Sequence, residues 1–271
     1  MRYKQNLHTH TRYCDGSNTP EEMANEAIRQ GFDSLGFSGH GYTPFSSIWC
    51  MSKENTDAYI QHIRRLKQEY DGRLKIWLGL ECDMFSHFDP SQFDYLIGSL
   101  HYLPIRDNCI SFDNSAEIVR TLIDQWFDGD GMAYAKHYFE TLAHLPEFGP
   151  FDIIGHIDII CKHAETVTFF DPNCEDYKRW ALEALDALEG KIPYFELNTG
   201  AISRGYRTTP YPAPFLLDGL RERGFGAVIT SDCHNCKDLS CHYPEAEKLL
   251  WDHGFREIFV LTDDGFVPSP L

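Results

Sequence analysis

The chain predicts an α/β barrel or barrel-like sheet, and three observations carry that expectation. Short apolar runs recur along the sequence, each ends in a polar cluster, and helical periodicity follows most of them. Runs this short and apolar suit strands buried on both faces of a parallel sheet. About seven such strand–helix units suit a barrel.

Taken in order, Gln5 to His8 is the first expected strand. Pro20 to Gln30 reads as a helix, with Thr19 as N-cap, Pro20 in the first turn, Glu21 and Glu22 acidic beside it, and Gly31 closing it. Asp33 to His40 is the second strand and Lys53 to Tyr70 the next helix. Strands Leu74 to Glu81 and Phe93 to His101 follow. Residues 102–150 hold no obvious strand and two helical patterns, Ser115 to Phe127 and Met132 to Leu145, so they read as a helical insertion over one end of the barrel. Strand Phe151 to His156, helix Cys174 to Leu188, strand Ile192 to Asn198, helix Pro214 to Arg223, strand Ala227 to Asp232 and helix Tyr243 to His253 complete the series. No Gly/Ser/Pro-rich linker and no internal repeat divides the chain, so residues 1–271 are expected to form a single domain.

A formal net charge of −17, spread without a long like-charge block, disfavours gripping a nucleic-acid backbone. No apolar run reaches the length of a membrane span, and the first residues lack a secretory signal's apolar stretch, so a cytoplasmic location is expected, with no membrane partner. Nine scattered cysteines suit reduced thiols rather than a disulfide framework. Cys233-x-x-Cys236 lacks the second pair that a structural zinc motif needs. Nothing in the sequence sets the oligomeric state.

The chemistry concentrates at the strand ends. His8 and His10 flank Thr9, and on an extended chain residues i and i+2 share a face, so both imidazoles can reach one cation. His40, Glu81, His101, His156, Asp232 and His234 each lie at or just past the end of an apolar run. In a parallel barrel these ends share one rim. Asp15, in the loop after the first strand, can join them. Imidazole and carboxylate suit zinc, iron or manganese. His62, His137, His144 and His253 sit in helical patterns and are expected to face solvent, while His163 and His242 lie nearer the rim. Tyr42, Phe45 and Trp49 follow His40 and suit either packing or a pocket wall.

His8-Thr-His10, Asp15-Gly16, Ser38-Gly-His40, Gly79-Leu-Glu81, Gly98-Ser-Leu-His101, Gly155-His156-Ile-Asp158 and Ser231-Asp-Cys-His234 resemble, in order, the motifs of the polymerase and histidinol phosphatase (PHP) superfamily. Size, the insertion and Glu196-Leu-Asn-Thr199 make the chain most similar to its histidinol-phosphate phosphatases. The resemblance implies a distorted, TIM-like (β/α)7 barrel with three divalent ions, zinc, iron or manganese. By the family pattern His8, His10, Glu81 and Asp232 hold the first. Glu81 bridges to a second, held also by His101 and His156, while Asp15, His40 and His234 hold the third. Where the family often has Thr-Asp-His, this chain has Ser38-Gly39-His40, with the histidine intact. Lys162, Arg204 and Arg207 stand where the family places basic residues toward phosphate. Asp158, Asp232 and His234 are the expected catalytic side chains. The leaving-group proton is left open between a water, Asp158 and a rim histidine, and Asp158 equally suits a helix cap.

The implied function is hydrolysis of a small phosphorylated substrate, L-histidinol phosphate, to L-histidinol and phosphate in histidine synthesis. The alternatives are a PHP phosphoesterase for another small ester or a nucleotide, an amidohydrolase on a similar barrel, and a non-catalytic metal-binding protein.

Overall fold

The computed structural model describes residues 3–46 and 48–271. The apolar runs become β1 (Gln5–Asn6), β2 (Ser34–Phe37), β3 (Lys75–Asp83) and β4 (Tyr95–Ser99). A hairpin, β5 (Tyr102–Ile105) and β6 (Asn108–Ser111), comes next. Then follow β7 (Ile153–Ile154), β8 (Tyr194–Asn198) and β9 (Gly226–Thr230). The hairpin excepted, these strands form one parallel sheet in the order β1-β2-β3-β4-β7-β8-β9. Its two edges meet. Thr9 and Cys233 form a parallel bridge, with His10 N–H donating to Cys233 O at 3.0 Å and Cys233 N–H to His8 O at 3.3 Å. The result is a seven-stranded barrel whose shortest strands, β1 and β7, are two residues each.

The helices pack outside it: α1 (Pro20–Arg29), α2 (Lys53–Glu69), α3 (Ala116–Trp126), α4 (Gly131–Leu142), α5 (Glu175–Leu188), a single turn α6 (Gly200–Ser203), α7 (Pro214–Glu222) and α8 (Tyr243–Asp252). Local chemistry starts them where expected. Thr19 Oγ1 accepts from Glu22 N–H while Glu22 Oε2 accepts from Thr19 N–H, a reciprocal capping box ahead of Pro20. Met23, Ala24 and Ala27, three and four residues apart, then turn inward. No described helix is long and apolar enough to cross a membrane.

Strand alternation sorts the barrel interior into two layers. Leu7, Trp77, Tyr95, Ile97, Ile153 and Val228 form an apolar cluster inside, together with Leu261. Tyr95 fills the middle: a Cβ on Gly36 or Gly79 would fall 2.3 or 2.2 Å from its ring or hydroxyl, so only glycine leaves it room. Its hydroxyl donates to Leu7 O and, at 3.3 Å, to Phe37 O. Further along β3, β4, β8 and β9 the inward positions turn polar, giving Glu81, Ser99, Glu196 and Thr230. The site stands on an apolar plug.

At the other end of three strands a sequence pair repeats: Phe32-Asp33, Phe93-Asp94 and Phe151-Asp152. Each aspartate clips one residue of the preceding strand twice. Its carboxylate accepts that residue's N–H and its own N–H donates to the same residue's carbonyl, on Lys4 (2.6 and 2.9 Å), Leu78 (2.7 and 2.7 Å) and Leu96 (2.8 and 3.0 Å). The clip sets parallel register before the ladder begins.

Three expectations change. Residues 102–150 are not purely helical: they open with the β5–β6 hairpin, paired from Tyr102–Ser111 to Ile105–Asn108. The turn at Arg106 and Asp107, with Arg106 at φ 55°, hides this hairpin from period counting. The first strand is confined to Gln5–Asn6, and the backbone of His8 and His10 beyond it is given to the closing bridge with Cys233. A second hairpin, β10 (Glu257–Thr262) and β11 (Gly265–Pro270), follows α8 and was not anticipated. It seals the plug end, where the Gln5 amide pairs with both backbone groups of Leu261 (2.8 and 2.9 Å) and Tyr194 packs on Phe266.

Candidate metal centre

The rim gathers all nine expected ligand positions. Three groups have ligand atoms within 4.8 Å of one another: His10, Asp15, His40 and His234; His8, His10 and Asp232; and His40, Glu81 and His101. His156 joins the last through Nε2, 3.0 Å from Glu81 Oε1 and 3.3 Å from His101 Nε2. Glu81 sits in the centre, its Oε2 3.2, 3.5 and 2.8 Å from nitrogens of His8, His10 and His40. His10 and His234 stack at 4.1 Å.

Whether the residues fit metal ions is answered by buried polar atoms without hydrogen-bond partners. These include His8 Nε2, His10 Nε2, Glu81 Oε2, His101 Nδ1 and His156 Nδ1. Groups so buried are normally satisfied, and three of these five face one another across a few ångströms. They fit cations.

Second partners aim the ligands. Glu196, fully buried, accepts from His8 Nδ1 (2.8 Å), His156 N–H (2.7 Å), Asn198 Nδ2 (2.8 Å) and Thr230 Oγ1 (2.7 Å). A carboxylate on Nδ1 leaves Nε2 as the ligating atom. Ser99 donates to Glu81 Oε1 at 2.9 Å, and Asp83 accepts from His101 N–H at 2.7 Å. Arg204 gives Nη2 to Asp232 Oδ2 (2.9 Å), and Nη1 to Asp232 O (2.6 Å) beside His234 Nδ1 (3.0 Å). Asp232 holds φ 43°, a left-handed conformation that aspartate tolerates better than most residues, and Arg204 secures the turn.

Electrostatics follow from this crowding. Burial opposes charge on His8, but Glu196, Glu81 and Asp232 outweigh it and hold its imidazole well above the ordinary histidine range. His101 is raised against the same burial by Glu81 and Asp83. His10 falls to about 3, through burial and then the neighbouring His234 and His40. Burial would raise Glu81, yet His40, His8 and His101 keep its carboxyl well below the carboxylate range. The carboxylates call for positive charge, and protons on imidazole compete with metal for that role.

The cluster floors a cavity of about 240 Å³ lined also by Trp49, Asp113, Ile159, Lys162, Arg204, Tyr206 and Tyr211. Lys162 faces it, with Nζ 2.6 Å from Asp113 Oδ1. Arg207 does not. It lines a neighbouring cavity with Asp158 and Cys161, and its Nη2 donates to Thr209 Oγ1 at 3.0 Å. Asp158 is fully buried in that second cavity, its carboxyl raised by burial, and Oδ2 accepts from Ala213 N–H at 3.0 Å. It makes no side-chain cap bond to the helical turn that follows it.

Among the other histidines, His144 is exposed beside Glu147, while His62 is half-buried between Glu21 and Tyr13. His137 and His163 bond to backbone carbonyls, and His242 and His253 pair with Glu245 and Asp218. All nine cysteines are free thiols, and none belongs to a candidate ligand group among the described residues. No motif in the sequence assigns a role to Glu196, Asp83 or Asp113. A charged residue inside an apolar strand, as in Tyr194-Phe-Glu-Leu, was the available signal for the first. Asp113, in the misread insertion, carried none.

Residues 6–200 match the PHP domain family. A Deinococcus radiodurans protein named "Probable histidinol-phosphatase" is 31% identical over 268 residues, covering 93% of this chain and 94% of its own. The Bacillus subtilis histidinol-phosphatase is 26% identical, covering 89% and 97%. The fold matches that of a Lactococcus lactis histidinol phosphate phosphatase, solved with zinc, L-histidinol and phosphate, at TM-score 0.70 and 21% identity over 97% of this chain and 98% of that one. With seven parallel strands closed by Thr9 and Cys233, a rim of histidines and acids, and a family match over most of its length, the chain belongs to the PHP domain family.

Proposed function

We propose that this protein is a metal-dependent phosphomonoesterase that hydrolyses L-histidinol phosphate to L-histidinol and phosphate. The observation that carries the chemistry is the convergence of nine imidazole and carboxylate side chains, several with orphaned buried atoms, seven of them lining one cavity and His8 and His10 buried among them. Near full-length relatives named histidinol-phosphatases support the substrate.

Three divalent ions, zinc, iron or manganese, are the proposed complement. His8, His10, Glu81 and Asp232 would hold one, Glu81, His101 and His156 another, and Asp15, His40 and His234 the third. Such ions supply Lewis acidity toward the phosphoryl group and a water made nucleophilic near neutral pH. The chain's own residues orient and enclose. Glu196 fixes the His8 tautomer, and Arg204 anchors both Asp232 and His234. Lys162 and Arg204 are the cationic side chains facing a phosphate. Trp49, Tyr206 and Tyr211 give the cavity aromatic walls suited to an imidazole ring. Of the three expected catalytic side chains, Asp232 and His234 line the cavity. Asp158 acts from behind it, holding the Ala213 backbone.

The test is phosphate release by metal-loaded protein from L-histidinol phosphate and a panel of other phosphomonoesters. Preference for L-histidinol phosphate, lost on chelation, is expected. Hydrolysis of other esters with this one ignored would keep the site and discard the substrate.

A further inference from the structure

Four carboxylates line the cavity: Asp15, Glu81, Asp113 and Asp232. Three belong to candidate ligand groups, and Asp113 does not. A cavity built for a phosphate dianion alone gains nothing from an extra negative charge, which repels the substrate. Its place is nevertheless held from both sides. The hairpin carrying it grows directly from His101, and Phe112 N–H donates back to His101 O at 3.2 Å. On the far side Asn114 O accepts from His163 Nε2 at 2.7 Å, and Lys162 Nζ reaches Asp113 Oδ1 at 2.6 Å. Lys162 in turn lies 4.4 Å from the centre of the Tyr206 ring, a second site of attraction for its ammonium.

The arrangement is a cation seat held by an internal lysine. A ligand with one anionic and one cationic end replaces the pair's mutual contact with two: Lys162 toward the anion, Asp113 toward the cation. The phosphate ester of an uncharged alcohol offers only the first. Resting on the phosphatase reading above, we propose that Asp113 is a specificity-determining residue. It receives the ammonium of the leaving alcohol, so that the site selects aminoalkyl phosphates over esters of uncharged alcohols.

The experiment compares L-histidinol phosphate with its deamino analogue at pH 8, in metal-loaded wild type, Asp113→Asn, Asp113→Glu and Lys162→Met. A lost hydrogen bond to a charged group predicts a drop in kcat/KM of about tenfold to hundredfold for the amine substrate in Asp113→Asn, carried by KM. The drop for the deamino analogue should be at least tenfold smaller, and Asp113→Glu should recover part of the preference. Lys162→Met should lower both substrates together. If Asp113→Asn also lowers both together, Asp113 merely holds Lys162 and the proposal fails. Wild type that hydrolyses both esters equally well overturns the proposal while leaving the phosphatase reading intact. Wild type that hydrolyses neither ends both.

Discussion

Glu81 and Glu196 are two buried acids with different duties, and substitution separates them. Glu81 touches five histidines from the centre of the cluster. Glu81→Ala should abolish turnover and remove more than one ion per chain by elemental analysis. Full metal content with activity would defeat its bridging assignment. Glu196 touches only ligand His8 and the backbone and side chains around it. Glu196→Gln should keep the fold and weaken metal affinity by about tenfold to hundredfold, with activity restored at higher metal concentration. Unchanged affinity would show that the His8 ring is set by packing alone. At this scale the histidines and acids of the rim were legible because all but Asp15, in the loop after the first strand, lie at or just past the end of an apolar run. The partners behind them were not, since Asp83 and Asp113 become neighbours of His101 only through the β3–β4 pairing and a hairpin that period counting could not see.

The Phe-Asp clips make a prediction at the scale of the strand. Asp152 is the clip whose carboxyl is raised by burial, although Leu96 N–H opposes the shift. Its folded-state value therefore lies above its unfolded one. The native chain binds that proton more tightly, and the group's contribution to stability falls as pH rises through the raised value. Asp152→Asn keeps an acceptor without the charge. It should match or exceed wild type in urea unfolding at pH 7, with the difference shrinking toward pH 4. Asp152→Ala leaves Leu96 N–H unpaired and should cost about 1–3 kcal/mol. An Asn variant less stable than wild type at pH 7 would contradict the account. The clips also explain why these strands were legible: apolar runs with a polar first residue are what a parallel strand with a fixed start requires. The β10–β11 hairpin lacked that signature, since Pro268 and Pro270 break its pattern and β11 buries only Ser269 fully.

For the whole molecule, metal binding is also a stability statement. The proposed ligands come from six strands and their loops and converge fully only in the assembled barrel, so ions held by them would favour the native state by mass action. At a thousandfold excess over Kd this is roughly 4 kcal/mol, on the order of 10 °C in Tm. Chelation should lower Tm by that order and readdition restore it; an unchanged Tm would mean the cluster is held by the protein alone. The barrel and its rim were legible because strand count and strand-end chemistry are local features, whereas the closure between Thr9 and Cys233 spans almost the whole chain and leaves no local trace. That closure has a consequence for biosynthesis. Asp232 and His234 leave the ribosome more than two hundred residues after His8 and His10. A nascent chain arrested before β9 can present the second group, Glu81, His101 and His156, yet lacks part of the first and third. Completion of those two groups therefore waits on β9, and the last of the seven barrel strands to arrive is the one that leads into the staple at Cys233.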